Sequence, residues 1–193
     1  MSPDSVLDLF RSRGALLEGH FVLSSGLHST GYLQCALVLQ HPADAEAVGR
    51  ALGEAVRAAG HEVDLVLSPA MGGLIIGHEV GRALGVRAIF AERVDGLLTV
   101  RRGFTLEAGE RVLVVEDVVT TGKSTLETVA VAEQAGAVVV AAASIINRGG
   151  GDVLAVPYVS LADARFPTFA AGAVPAALRD IPAIKPGSRP GVR

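Results

Sequence analysis

The sequence has few cysteines and aromatic residues, no long apolar run and no excess of basic residues. Its 193 residues include one cysteine, Cys35, two tyrosines, six phenylalanines and no tryptophan. A single cysteine excludes an intramolecular disulfide and a cysteine-based zinc site, and it suits a reducing compartment. No apolar stretch is long enough to span a membrane. The formal net charge of −3 lacks the basic excess of a nucleic-acid-binding surface.

The N-terminus lacks the basic and apolar segments of a secretory signal and carries Asp4 and Asp8 instead. Apolar residues make up 50% of the chain and charged residues 19%, which excludes a disordered chain. We therefore expect one domain over residues 1–193. We also expect it to be cytoplasmic and to bind neither nucleic acid nor a membrane.

Apolar runs alternate with helical patterns from residue 63 onward. This alternation predicts a mostly parallel sheet with helices on both faces. The strands are expected at 63–67, 86–91, 112–115 and 137–146. Upstream, the spacing of apolar residues predicts helices over 2–13 and 42–59 and a short strand over 21–23.

Residues 111–125, RVLVVEDVVTTGKST, combine three features in order. A buried strand is expected first, then the acidic pair Glu116 and Asp117, then a turn of small residues that leads into a helix. Ligands of open α/β sheets bind beyond the carboxyl ends of strands, and a turn of this kind can enclose a phosphate. The alternative is an ordinary strand, turn and helix with two solvated acids and no functional role.

The GKST tetrapeptide does not make this stretch a P-loop, because Asp117 stands where the first glycine of that motif belongs. A carboxylate there would repel a phosphate, but it can accept hydrogen bonds from ribose hydroxyls. The stretch therefore predicts a ribose-5-phosphate site, with the carboxylates on the ribose and the small-residue turn on the phosphate.

This stretch resembles the phosphoribosyl-diphosphate signature of the type I phosphoribosyltransferases. Three further segments, 19–29, 68–73 and 181–189, are similar to the orotate phosphoribosyltransferases within that family. The resemblance implies an α/β fold with a mostly parallel central sheet flanked by helices. It also implies a small hood from residues 1–40 and 160–193 and a mobile lid over residues 92–110, a long polar connection.

The resemblance implies transfer of ribose-5-phosphate from phosphoribosyl diphosphate to orotate, with Mg²⁺ bound through the diphosphate and no metal held by protein side chains alone. It implies a homodimer whose lid closes over the partner's site. The catalytic residues would be Asp117, Arg101 and Arg102. The substrate contacts would come from Ser24, Met71, Gly72, Arg93, Glu116, Asp117, Val118, Val119, Thr120, Thr121, Gly122, Lys123, Ser124 and Arg148.

The chain departs from the family pattern at three places. Gly72 and Leu97 stand where many relatives have lysines, and Val174 and Ala177 stand where relatives with similar tails often have cysteines. We expect Arg101 or Arg102 to supply the lid charge, because a guanidinium can neutralise a departing diphosphate. Two alternatives remain open: a phosphoribosyltransferase for a purine or another base, and a regulator that binds the nucleotide without catalysis.

Overall fold

The computed structural model describes residues 1–23 and 25–186 and contains two sheets. The larger sheet has six strands in the order β5-β4-β3-β6-β7-β8, and all neighbours are parallel except β4 and β5. Its strands are β3 (Leu65–Pro69), β4 (Arg87–Val94), β5 (Leu97–Val100), β6 (Arg111–Val119), β7 (Val138–Asn147) and β8 (Tyr158–Asp163). The helices are α1 (Pro3–Ser12), α2 (Ala36–Leu39), α3 (Pro42–Ala58), α4 (Gly73–Leu84), α5 (Lys123–Gln134) and α6 (Ala176–Arg179).

Both faces of the six-stranded sheet are buried, because successive side chains of a strand point to opposite sides. In β6, Leu113 and Val115 pack into a core shared with α1, α2, α3 and α4. Val112 and Val114 pack into a second core with α5. The predicted parallel sheet covered on both faces is therefore confirmed. None of the described helices has the length and apolar character needed to cross a membrane.

The smaller sheet is antiparallel and consists of β1 (Leu16–Val22), β2 (His28–Leu33) and β9 (Thr168–Phe169). We refer to these three strands as the hood. The C-terminal part of the described chain also joins it, since Ile184 donates to the His20 carbonyl and accepts from the Val22 amide. The hood therefore combines the two ends of the chain, although the stretch 160–163, which was predicted to belong to it, lies in β8 of the larger sheet.

Two expectations about strand boundaries were wrong. The strand predicted for 112–115 continues to Val119, so Glu116 and Asp117 belong to the end of β6 and do not follow it. The connection over 92–110, expected as a loop, contains the end of β4 and all of β5. Asp95 and Gly96 both have positive φ, 50° and 86°, at the turn between them. An Asp-Gly pair in this conformation favours a tight hairpin, a signal that the polar composition had obscured.

The helices α3 and α4 approach closely at Gly49, where an added Cβ would lie 2.4 Å from the Glu79 Cβ and 2.9 Å from its carbonyl carbon. At Gly53, one turn further on, an added Cβ would lie 3.3 Å from the Ala83 Cβ. We expect Gly49→Ala to lower the free energy of unfolding by about 1–3 kcal/mol, because the helices must separate. Gly53→Ala is the matched control and should be close to neutral, since the better helix propensity of alanine offsets mild crowding.

Urea unfolding of both variants measures the difference. Equal effects of the two substitutions would contradict a close approach confined to Gly49.

Candidate active site

Three loops meet at the carboxyl edge of the larger sheet. They follow three adjacent parallel strands: residues 70–72 follow β3, 120–122 follow β6, and 148–151 follow β7. This edge is where open α/β sheets bind ligands. The motifs at 68–73, 116–124 and 147–151, which lie far apart in sequence, are therefore brought together by strand order.

The acidic pair lies at the centre of this edge and is largely buried. Glu116 is 7% exposed. Burial raises the pKa of Glu116 to about 7, and burial also raises the pKa of Asp117. The Asp117 carboxylate accepts a 2.8 Å hydrogen bond from the Val118 amide. The alternative of two solvated acids with no function therefore does not describe this pair.

Ser124 was predicted to bind the phosphate, but in this structure its hydroxyl donates a 2.6 Å hydrogen bond to Glu116. A serine has one hydroxyl proton, so this bond leaves Ser124 without a donor for a phosphate oxygen. The hydroxyl thus links the start of α5 to the acidic pair. Its bond to the charged form opposes the effect of burial on the Glu116 pKa.

The turn before α5 presents backbone amides and exposed side chains to the same edge. Gly122 caps the 12-residue helix, and Thr120, Thr121 and Lys123 are exposed. The first amides of a helix have no partners within it and can bind a phosphate. Val119, predicted as a contact residue, is buried. Its carbonyl accepts a hydrogen bond from the Arg148 amide.

The loop after β3 lies directly on the acidic pair. A Cβ on Gly72 would lie 2.7 Å from the Asp117 Oδ1. The Ala70–Met71 peptide bond is cis, and Met71 is 81% exposed. A side chain at position 72 would displace the Asp117 carboxylate in this backbone conformation.

The loop after β7 is built by Asn147, whose importance the sequence did not reveal. Its buried side chain donates to Asp163 Oδ1 at 2.7 Å and accepts from the Gly149 and Gly151 amides at 2.9 and 3.2 Å. Gly150 lies against the 120–122 turn, since an added Cβ there would be 2.6 Å from the Gly122 amide nitrogen. The two loops are therefore in direct contact.

Arg148 projects from this loop and is only partly exposed. Its Nε is buried, and its guanidinium forms no ion pair or hydrogen bond with any residue in the described ranges. Burial lowers the pKa of Arg148 from its usual range. Arginine nevertheless stays charged at neutral pH. The structure thus holds a partly desolvated cation on the loop that contacts the 120–122 turn.

The arginines of the 92–110 segment make contacts of their own. Arg93 donates to the Gly96 carbonyl at 2.7 Å and forms an ion pair with Glu127 of α5. Arg102 donates to Glu92 at 2.9 Å, whereas Arg101 approaches the same carboxylate only to 4.0 Å. In this conformation Arg93 pairs with Glu127 and Arg102 pairs with Glu92, so the predicted role of these two arginines needs a rearrangement.

Cys35 and a histidine pair of the hood make contacts that the sequence did not reveal, and one predicted residue lies outside the described ranges. Cys35 is buried close enough to Asp117 that this carboxylate adds to the effect of burial in raising the thiol pKa well above its ordinary value. His20 and His28 lie together in the hood, with His20 Nε2 2.6 Å from His28 Nδ1. Ser24 falls in the undescribed part.

Comparisons with known proteins agree with this geometry. The family described as "Phosphoribosyl transferase domain" matches residues 36–161, which include all three loops. The chain belongs to the phosphoribosyltransferase family.

Within that family, the chain is 54% identical to the orotate phosphoribosyltransferase of Erythrobacter litoralis, over 98% of this chain and 99% of that protein. It is 52% identical to the orotate phosphoribosyltransferase of Novosphingobium aromaticivorans, over 98% of each. The crystal structure of orotate phosphoribosyltransferase from Aeropyrum pernix superimposes with a TM-score of 0.72 and 28% identity, covering 82% of this chain and 93% of that one. The resemblance drawn from the motifs is thereby confirmed.

The raised pKa of Glu116 predicts a pH-dependent penalty on folding. A carboxyl whose pKa is higher in the folded state stabilises the fold below its unfolded pKa, and this contribution is lost as the pH rises to the folded value. Glu116→Gln removes the titration. The free energy of unfolding of the variant relative to the parent should therefore increase by up to about 3 kcal/mol between about pH 4.5 and 7.

Denaturant unfolding at a series of pH values tests this expectation. Glu54→Gln, at an exposed position of α3, is the matched control and should not show this rise. A difference between Glu116→Gln and the parent that stays constant with pH would contradict a buried, raised Glu116.

Proposed function

We propose that the chain transfers ribose-5-phosphate from phosphoribosyl diphosphate to orotate, giving orotidine 5-phosphate and diphosphate for pyrimidine synthesis. The observation that carries the proposal is Arg148, a partly buried cation with no anionic partner among the described residues. Orotate is a pyrimidine with a carboxylate, and guanidinium and carboxylate groups pair through two parallel hydrogen bonds. The names of the relatives support the same substrate.

The other loops fit the sugar and its phosphates. The turn at 120–122 and the first amides of α5 would bind the 5-phosphate, while Glu116 and Asp117 would accept hydrogen bonds from the ribose hydroxyls. Backbone groups of the 68–73 loop would contact the diphosphate. Because Ser124 donates to Glu116, it would position this carboxylate for the ribose instead of contacting the phosphate.

The reaction would be a displacement at the anomeric carbon of the sugar. The bond from this carbon to the diphosphate oxygen breaks, and a bond to the orotate nitrogen forms as that nitrogen loses its proton. The three loops would hold the reacting atoms close together, and fixed positive charge would stabilise the departing diphosphate. These contributions require position and charge and no covalent intermediate with the protein.

Magnesium would bind through the substrate. In the described ranges, no three His, Cys, Asp or Glu side chains come together as a ligand set. The Mg²⁺ ion would instead be held mainly by the diphosphate and the ribose hydroxyls, because magnesium prefers substrate phosphates to a cage of protein groups. Bound there, the ion would neutralise negative charge on the diphosphate.

A homodimer would complete the site. The segment 92–110 would act as a lid that closes over the partner's active site, bringing Arg101 or Arg102 to the diphosphate. Arg101 is the less engaged of the two, because its distance to Glu92 is 4.0 Å and that of Arg102 is 2.9 Å. Leu97, at the usual lysine position, is 72% exposed on β5 and carries no charge. The cytoplasmic location expected from the sequence remains a prediction.

Arg148→Ala should weaken binding of orotate by on the order of 2–5 kcal/mol, because the orotate carboxylate would lose its charged partner in a partly desolvated site. Binding of phosphoribosyl diphosphate should remain nearly unchanged. Calorimetry measures both. Turnover of the parent with Mg²⁺ should favour orotate over uracil, which lacks the carboxylate, and over adenine, guanine and hypoxanthine.

Arg165→Ala is the matched control, since it removes an exposed arginine paired with Asp152 at 3.1 Å. It should leave orotate binding intact. Preference of the parent for a purine would identify a phosphoribosyltransferase for another base. Binding of both substrates without turnover would identify a regulator.

Subunit mixing tests the lid. Arg101→Ala/Arg102→Ala subunits and Asp117→Ala subunits should each be inactive, because one lacks the lid charge and the other the ribose carboxylate. Together they should recover activity, since a mixed dimer contains one site with an intact lid and an intact Asp117. Recovery should approach about a quarter of the parent activity, because about half of randomly paired dimers are mixed and one of their two sites works.

Absence of recovery after subunit exchange has been verified would show that each lid serves its own subunit. Full activity of Arg101→Ala/Arg102→Ala alone would remove both arginines from the catalytic machinery.

A further inference from the structure

Arg148 lies over an aromatic ring that comes from another part of the chain. Its guanidinium carbon is 5.3 Å from the centroid of the Phe166 ring. Phe166 belongs to the connection between β8 and β9 and is partly buried. A guanidinium within about 6 Å of a ring centroid is attracted by the negative face of the ring. Phe166 therefore stabilises the charge of Arg148 where no described carboxylate does so.

The ring is itself fixed by the hood. Gly31 of β2 is buried, and a Cβ at this residue would lie 2.3 Å from Phe166 Cδ1 and 2.4 Å from Cε1. The ring thus rests directly on the Gly31 backbone and cannot move toward β2. Phe166 connects the hood to the loop after β7, so the direction of the Arg148 side chain depends on how the hood packs.

An aromatic partner and a carboxylate differ in how strongly they compete with an incoming anion for the guanidinium of Arg148. A carboxylate would occupy the N–H groups of the guanidinium and would compete with an incoming anion. A ring holds the guanidinium less strongly than a carboxylate does, and it carries no negative charge that would repel an incoming anion. Asp163, the acidic residue close to this loop, forms no ion pair with Arg148 among the described contacts, and its Oδ1 accepts from Asn147.

We propose that Phe166 is a positioning residue that holds the Arg148 guanidinium in the orientation in which it receives the orotate carboxylate. The inference rests on the proposed function, since it assigns Phe166 to the same base site. In this proposal the hood contributes to base binding indirectly, because it holds Phe166 and Phe166 holds Arg148. The hood itself need not touch the base.

The test compares Phe166→Leu with the parent. The KM for orotate should rise roughly 3- to 30-fold, the range expected for loss of one cation–π contact that is partly shielded from water. The KM for phosphoribosyl diphosphate should not change. Phe166→Tyr, which keeps an aromatic face, should restore the orotate KM. Phe169→Leu is the matched control for loss of a ring in the same segment, because Phe169 pairs with β2 and forms no cation–π contact with Arg148.

A second comparison separates positioning from packing. The activity with uracil, measured at high concentration, should be equal in Phe166→Leu and the parent, because uracil has no carboxylate. Phe166→Leu should also have no added effect on orotate binding in an Arg148→Ala background. Equal losses for orotate and uracil, or full additivity of the two substitutions, would overturn the proposal.

A spectroscopic variant covers the case in which Phe166→Leu does not fold. Because the chain contains no tryptophan, Phe166→Trp introduces a single tryptophan, which can be excited apart from the two tyrosines, and preserves the aromatic face. Its emission should change on addition of orotate, and Arg148→Ala should abolish this change. An emission unaffected by orotate, in a variant that turns orotate over, would overturn the role of this ring. Failure of the parent itself to use orotate would instead overturn the proposed function.

Discussion

Two adjacent carboxylates, Glu116 and Asp117, are withdrawn from water at the end of β6, and the surrounding loops are arranged around them. Burial makes the ionised form of each acid costly, as the raised pKa values indicate. The Ser124 hydroxyl and the Val118 amide offset part of this cost. The loop after β3 covers the pair so closely that a Cβ at position 72 would lie 2.7 Å from the Asp117 Oδ1. An acidic pair maintained at such a cost is more typical of a functional site than of a structural one.

The three loops of the site support one another as well as the acids. Asn147 uses its whole side-chain amide to shape the loop after β7, and Gly150 of that loop lies against the turn before α5. These contacts fix the distance between the phosphate turn and Arg148. A reaction between two bound substrates requires fixed distances of this kind, because they reduce the entropy that is lost when the reacting atoms come together.

The positive charges around the site have two different environments. Arg93 and Arg102 have carboxylate partners in this conformation and must exchange them before they can bind a diphosphate. Arg148 lies over the Phe166 ring and has no carboxylate partner among the described residues. In the proposed reaction the guanidinium for the base is thus already in place, whereas the arginines of the 92–110 segment would have to move before they contribute. The proposal therefore separates recognition of the base, through the loop after β7 and the hood, from catalysis at the diphosphate.

The sequence by itself determined the parallel sheet, the order of its main helices and the motif that carries the acids, because each depends on local periodicity and on residues adjacent in the chain. It could not show that β6 continues through Glu116 and Asp117, since strand length depends on pairing with β7. It also could not show the bond from Ser124 to Glu116, the partners of Asn147 or the cation–π contact of Arg148 with Phe166. These contacts were decided only by the tertiary structure, because strand order and the packing of the hood bring together side chains whose separation in the chain carries no local signal.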